Sequence, residues 1–207
     1  ELKSHRDWWF GDPAQYPPRE QLFAELMNVV GRHPKTTFVA VHFCDDPEEL
    51  EKVDGWLEAH LNLCVDVAAR IPEIGRRDPL LVRKLFLKHR ERILLGTDFM
   101  VYGKLILGSG GDDENPTDAD AAAFFAKHWT FFETLERGMQ HMTPIQGDWT
   151  IDAIGLPAPA LRQIYFDNAR RVLARGWPAP ELHVKRVNGH VALSGMLKDP
   201  AWAVAPA

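Results

Sequence analysis

The chain is short of cysteine, of charge of one sign and of long apolar runs, and each shortage removes a class of protein. Two cysteines in 207 residues, Cys44 and Cys64, do not make a disulfide scaffold. Both stand in apolar, strand-like text and are expected as buried free thiols. A formal net charge of −5 and a pI of about 6.0, with no clustered basic patch, give no footing for binding nucleic acid through its phosphates. No apolar run approaches the ~20 residues of a membrane-spanning helix, so no membrane insertion is expected. No internal repeat of fixed period is visible. Glu1 opens the chain without an initiator Met or a signal sequence, and Ala205-Pro206-Ala207 ends it just after what reads as the start of a new unit. The expectation is a piece of a longer protein.

What is present is ordinary globular text, 45 % hydrophobic and 26 % charged, enough to bury a core. Residues Glu1 to Pro18 mix Trp8, Trp9, Phe10 and Tyr16 with Pro and Gly, a loop with a packed aromatic cluster. From Arg19 to Gly31 an amphipathic helix is predicted with Leu22, Phe23, Leu26, Val29 and Val30 on its inner face. Thr37 to Phe43 then reads as a strand buried on both faces. The cycle repeats. A helix starts at Asp46-Pro47 with Leu50, Val53, Trp56 and Leu57 inward, and Leu61 to Val67 is a second strand. Asp78-Pro79 caps a third helix, and Arg92 to Gly96 is a third strand. This alternation requires a parallel α/β sheet, either doubly wound or a barrel, and periodicity does not choose between them. Gly108 to Asp120 reads as a polar surface loop, followed by an aromatic helix holding Phe124, Phe125, His128, Phe131 and Phe132. A last helix covers Pro159 to Leu173. Beyond Gly176-Trp177-Pro178 the text changes to alternating runs, His183 to Val187 and His190 to Leu193, around the hairpin signal Asn188-Gly189. A domain boundary is placed near Trp177, dividing residues 1–176 from 177–207.

The three strands end on polar residues: His42, Asp66 and Asp98. In α/β barrels the loops at the C-terminal strand ends frame the pocket, and a His and an Asp so placed suit a divalent metal. On spacing alone a strand-end His is more often a hydrogen-bonded structural residue than a metal ligand. Arg70, just past the second strand, could bind an acidic substrate through its fork, or form a salt bridge with Asp66 or Glu73. His141 and the Thr143–Trp149 stretch could line a pocket or pack. Glu133 reads as a buried hydrogen-bonding partner, and Trp8, Trp9, Trp56, Trp129, Phe131 and Phe132 as core and interface.

The segments His33–His42, Asn62–Arg70 and Arg92–Phe99 resemble, in order, the last three strands of the amidohydrolase-related family, which includes decarboxylases similar to aminocarboxymuconate semialdehyde decarboxylase. Asp167–Leu173, with its Asn168-Ala169 pair, resembles that family's closing helix. The resemblance covers roughly Trp8 to Ala174. It implies the C-terminal half, about three strands and their helices, of a TIM-type (β/α)8 barrel with a divalent metal at its mouth. Zinc is the first choice, manganese or another metal the alternative. His42 matches the His that ends the sixth strand, and Asp98 the Asp of the Gly-Thr/Ser-Asp motif that ends the eighth. In that pattern the Asp ligates metal and takes a proton from metal-bound water, while the His orients the water or polarises the substrate. The family's His-x-His pair on strand one and its His on strand five have no counterpart in this chain, and His5 is not carried over to either. One His and one Asp make a poor zinc site alone, so the segment by itself is expected to be inactive.

The implied function is metal-dependent hydrolysis, or the related decarboxylation, of a small carboxylated or cyclic substrate. The alternative is a non-catalytic barrel scaffold or carbohydrate-associated binding module. Val191–Trp202 resembles the opening of a family 9 carbohydrate-binding-like β-sandwich, which would add polysaccharide as a partner and points to a periplasmic or secreted parent. An open parallel edge would favour a homo-oligomer.

Overall fold

Three short parallel strands form the centre of the structure, a computed structural model that describes residues 9–108, 115–143 and 147–174. They are β1 (Phe38–Ala40), β2 (Leu63–Asp66) and β3 (Ile93–Leu94), in spatial order β1-β2-β3. Phe38 lies opposite Leu63 and Ala40 opposite Val65, while Val65 also lies opposite Ile93. Strand alternation puts these residues on one face, against a core built by the helices. The other face carries Val39, Cys64 and Leu94. At the sheet's edge, Val39 and the neighbouring Val41 are exposed.

The helices follow the expected amphipathic pattern with local shifts. In α1 (Arg19–Arg32) the buried residues are Phe23, Met27 and Val30, whereas Leu22 and Val29 face out. The apolar stripe is thus narrower than expected and rotated towards Met27. In α3 (Leu50–Ala59) Leu50, Val53 and Leu57 are buried. This helix starts four residues after Asp46, because Asp46 is drawn into the interior as an ion-pair partner and cannot serve as an exposed first-turn acid. In α5 (Pro79–Lys88) the cap is as predicted: the Asp78 carboxylate accepts the Leu80 N–H at 2.8 Å. Helix α6 (Asp118–Glu133) opens on a capping box between Thr117 and Asp120 and buries Phe124, His128, Phe131 and Phe132. Glu133 does accept a hydrogen bond, from Tyr165 Oη at 3.1 Å, but it is exposed.

The last helix is one rod in three parts: α7 (Ala158–Arg162), a π turn (Gln163–Asp167) and α8 (Asn168–Leu173). The π turn leaves the Ile164 carbonyl to accept the Leu95 N–H at 2.9 Å, which prolongs β3. Buried Asn168 donates from Nδ2 to Arg90 O and Ile93 O, both at 2.7 Å. Asn168 is therefore a clamp between the helix and the start of β3.

Among the elements not predicted are five short ones. The short α4 (Ile71–Gly75) follows β2, β4 (Phe99–Val101) and β5 (Leu105–Leu107) form an antiparallel hairpin after Asp98, and β6 (Met139–Gln140) pairs with β7 (Thr150–Ile151). Among the described residues the architecture is mixed α/β with small sheets, and no barrel closes. Neither Cys44 nor Cys64 is in a disulfide, and both are buried; burial first, then Asp46 and Asp66, pushes the Cys44 thiol up to about 12. Among the described residues no helix is long and apolar enough to cross a membrane. The boundary near Trp177 and the tail that resembles a carbohydrate-binding module lie outside the described residues.

Candidate functional site

Parallel order brings the residues that follow β1, β2 and β3 to one rim of the sheet. There the backbone departs from the ordinary. Among the described residues the non-glycine positions with positive φ are His42, Phe43, Cys44, Asp45, Ala69 and Asp98, and all six lie in the three loops of this rim. A left-handed residue with a Cβ costs roughly 1–2 kcal/mol, and such strain persists where the surroundings over-determine it.

The first loop is the most unusual. Thr37–Phe43 was expected as one strand, but the strand ends at Ala40 and the chain enters a left-handed turn, α2 (Val41–Cys44), running on through Asp45. Several contacts hold it, two of them to the core and to the next strand. Phe43 is fully buried and stacks on Phe86, 6.1 Å between centroids. Asp66, at the end of β2, accepts the His42 N–H at 2.9 Å and the Ala68 N–H at 3.0 Å with the same Oδ1. Asp66 therefore clasps two rim loops together.

His42 itself is half-buried. Its Nδ1–H donates to Ala68 O at 2.8 Å, which fixes the tautomer and leaves the lone pair on Nε2. A backbone carbonyl on the far nitrogen is the arrangement that orients a metal-ligating imidazole. Asp98 stands two strands away on the same rim, at φ 58. Its carbonyl accepts the Gly108 N–H at 3.2 Å, and its half-buried carboxylate makes no hydrogen bond among the described residues. Gly96, just before it, lets this loop touch the second: a Cβ there would sit 2.9 Å from Ala68 Cβ.

Arg70 pairs with neither Asp66 nor Glu73. It reaches across the rim to Asp45, Nη2 to Oδ1 at 3.0 Å, because the left-handed turn swings Asp45 towards it. His141 is buried, donates from Nε2 to Gly147 O at 2.8 Å and accepts the Thr143 N–H at Nδ1, with its ring against Trp149. Burial, foremost, holds its pKa below the ordinary value. Both ring nitrogens are thus engaged within its own loop.

Two acidic residues were missed. Asp46 is fully buried, with Arg19 Nη2 and Lys52 Nζ each 3.0 Å from its oxygens; neither contact has hydrogen-bond geometry, so the pairing is Coulombic. Glu73 on α4 is buried with Oε2 unpartnered, and burial raises its pKa against the opposing pull of Arg70 and Arg76. Neither leaves a signature in sequence, since both look like surface acids at helix starts.

Zinc sites use at least three protein ligands. Among the described residues no group of three His, Cys, Asp or Glu side chains could hold a metal ion. His42 and Asp98 are two donors, so the described residues do not by themselves fit a metal. The sequence matches no family model, no curated protein and no solved structure.

Proposed function

We propose that this chain is the C-terminal half of an amidohydrolase-like (β/α)8 barrel whose rim hydrolyses, or decarboxylates, a small carboxylated or cyclic substrate. The observation that supports the reading most is the coincidence at His42 and Asp98. The two residues picked out from sequence are both strand-end residues of one parallel rim, and both are held in left-handed backbone. In this reading Asp98, unencumbered by hydrogen bonds among the described residues, takes the proton from the attacking water. His42 offers the Nε2 lone pair to a hydrogen of the same water. Asp66 is a positioning residue that holds the His42 backbone. Arg70, already balanced by Asp45, would meet a substrate carboxylate only by sharing that partner. The divalent metal, zinc or manganese, needs donors beyond the described residues, and the reading expects them in a His-x-His pair encoded upstream of Glu1.

A second reading has its own support. His42 and Asp66 are both used in bonds that tie the rim together, as a scaffold or binding module without chemistry would use them. The test is the coding sequence 5′ of Glu1, followed by turnover of small carboxylated and cyclic substrates by the longer protein and its Asp98→Asn variant. Loss of turnover with an unchanged melting curve supports the enzyme. Absence of the His-x-His pair, or an Asp98→Asn variant that turns over normally, overturns it.

A further inference from the structure

Beside the rim lies a hollow of about 900 Å³ that the proposed chemistry does not use. Its walls are Trp9, Phe10 and Tyr16, and its floor includes Arg19 and Asp45. The aromatics were expected to pack. Instead Trp9 is 56 % exposed, Phe10 63 % and Tyr16 39 %. The reason is a loop organised around its own backbone. Asp12 O accepts the Gln15 and Tyr16 N–H groups at 3.0 and 2.9 Å, and the Asp12 carboxylate accepts from Ala14 N and Gln15 Nε2. Pro13, Pro17 and Pro18 restrict the chain further. Phe10 and Tyr16 meet edge to face, 5.3 Å between centroids. A stiff loop therefore leaves these rings partly exposed to solvent, and little ordering entropy remains to be lost when something packs on them.

The charges on the floor are already matched. Arg19 pairs with buried Asp46, and Asp45 with Arg70. A charged ligand would find no unbalanced opposite charge. Hydrogen-bonding capacity does remain: Asp45, 71 % exposed, has Oδ2 to accept with, and half-exposed Arg19 has further N–H donors. Apolar ring faces, a donor and an acceptor, and no net charge together describe a neutral flat ring with an apolar face and hydroxyls around its edge.

We propose that the Trp9–Phe10–Tyr16 hollow binds a neutral sugar ring, stacked on the aromatics with its hydroxyls directed to Arg19 and Asp45. This does not depend on the metal reading, since no residue of the hollow is His42 or Asp98. A sugar ring could come from a free saccharide or from the end of a polysaccharide chain, and the test separates the two.

The full chain would be titrated with cellobiose, xylobiose, maltose and diacetylchitobiose by NMR, and incubated with insoluble cellulose, xylan and chitin. The expected result is saturable binding of at least one disaccharide, weakened about tenfold in Trp9→Ala and in Tyr16→Ala, the amount expected from a lost stacked ring. Asp45→Asn should weaken it several-fold. Trp9 and Tyr16 contribute little to the core, so both variants should melt with the wild type, and Phe10→Ala gives an independent third wall. Retention on a polysaccharide without disaccharide binding would place the ligand in the polymer, provided that Trp9→Ala abolishes it. No binding to any of these probes overturns the proposal. So does binding unchanged in all three aromatic variants, or a preference for a phenol or for a charged sugar acid over its neutral parent.

Discussion

Asp66 should be worth more to the rim than any other single polar side chain, and the amount follows from its two bonds. Its Oδ1 accepts the N–H groups of His42 and Ala68 at 2.9 and 3.0 Å. Hydrogen bonds to an ionised group contribute about 1.5–3 kcal/mol each, and the half-buried setting of Asp66 puts each at the lower end. Asp66→Ala removes both, about 3 kcal/mol in all. Part of that returns, because the left-handed turn can then relax some of its roughly 1–2 kcal/mol per residue. The expected net loss is about 2 kcal/mol by urea unfolding at pH 7 with an unchanged m value. Asp66→Asn keeps an acceptor but loses the charge, and should cost about 1 kcal/mol. In both variants the His42 and Ala68 amide resonances should shift first. If Asp66→Ala costs less than about 0.5 kcal/mol, or Asp66→Asn costs as much as Asp66→Ala, the clasp is not what holds the rim.

Asn168→Ala should cost about 2–4 kcal/mol in the same assay, since it leaves two carbonyls near the start of β3 without their donor; a loss under about 0.5 kcal/mol refutes the clamp. His89, His128 and His141 all have pKa values below the ordinary 6.5, with burial the leading cause in each. Their contribution to stability is complete above about 6.5 and is lost as pH falls through the depressed values. The urea midpoint should therefore fall from pH 7 towards pH 5 with net proton uptake on unfolding, and a flat or rising midpoint contradicts this. Residues 1–207 titrated with zinc in a calorimeter should bind weakly, because the described residues supply no trio of ligands; tight stoichiometric binding would mean a site the described geometry does not contain.

The strands were legible because strands of a parallel sheet are written as continuous apolar runs, and TFVAV, LNLCV and RILL are such runs, although β1, at the sheet's edge, leaves Val39 exposed and is not buried on both faces as expected. Their ends were not. Val41-His42-Phe43-Cys44-Asp45 contains no Gly or Asn to announce a left-handed turn, and although His42 and Asp45 are of types that tolerate positive φ, Phe43 and Cys44 are not. The turn exists because Phe43 is anchored against Phe86, 43 residues later, and because Asp66 captures the His42 N–H. The π turn at Gln163–Asp167 is hidden for the same reason, since its compensation is a bond to Leu95. Of the candidate site, His42 and Asp98 were readable from their place at strand ends. The pairing of Arg70 with Asp45 was not, because it depends on where the turn points. The aromatic loop misled in the opposite direction: aromatics usually mean core, and only the Asp12 turn reveals why Trp9 and Phe10 stay outside.

Strain at Asp98 offers a way to tell a structural aspartate from one kept for chemistry. At φ 58 a glycine escapes the left-handed penalty of roughly 1–2 kcal/mol, but it gives back about 0.5–1 kcal/mol through the greater freedom of the unfolded chain. If the Asp98 carboxylate does nothing for the fold, Asp98→Gly should be neutral or stabilising by up to about 1.5 kcal/mol. An aspartate that held its loop would behave otherwise, and its replacement by glycine would cost about 1 kcal/mol or more. The same comparison at Asp66 has the opposite expected sign, so the two positions serve as each other's control. A stabilised Asp98→Gly beside a destabilised Asp66→Ala would mean that the rim carries one acid for structure and one for function. A destabilised Asp98→Gly would remove the ground for assigning Asp98 to chemistry, and with it the better half of the proposed site.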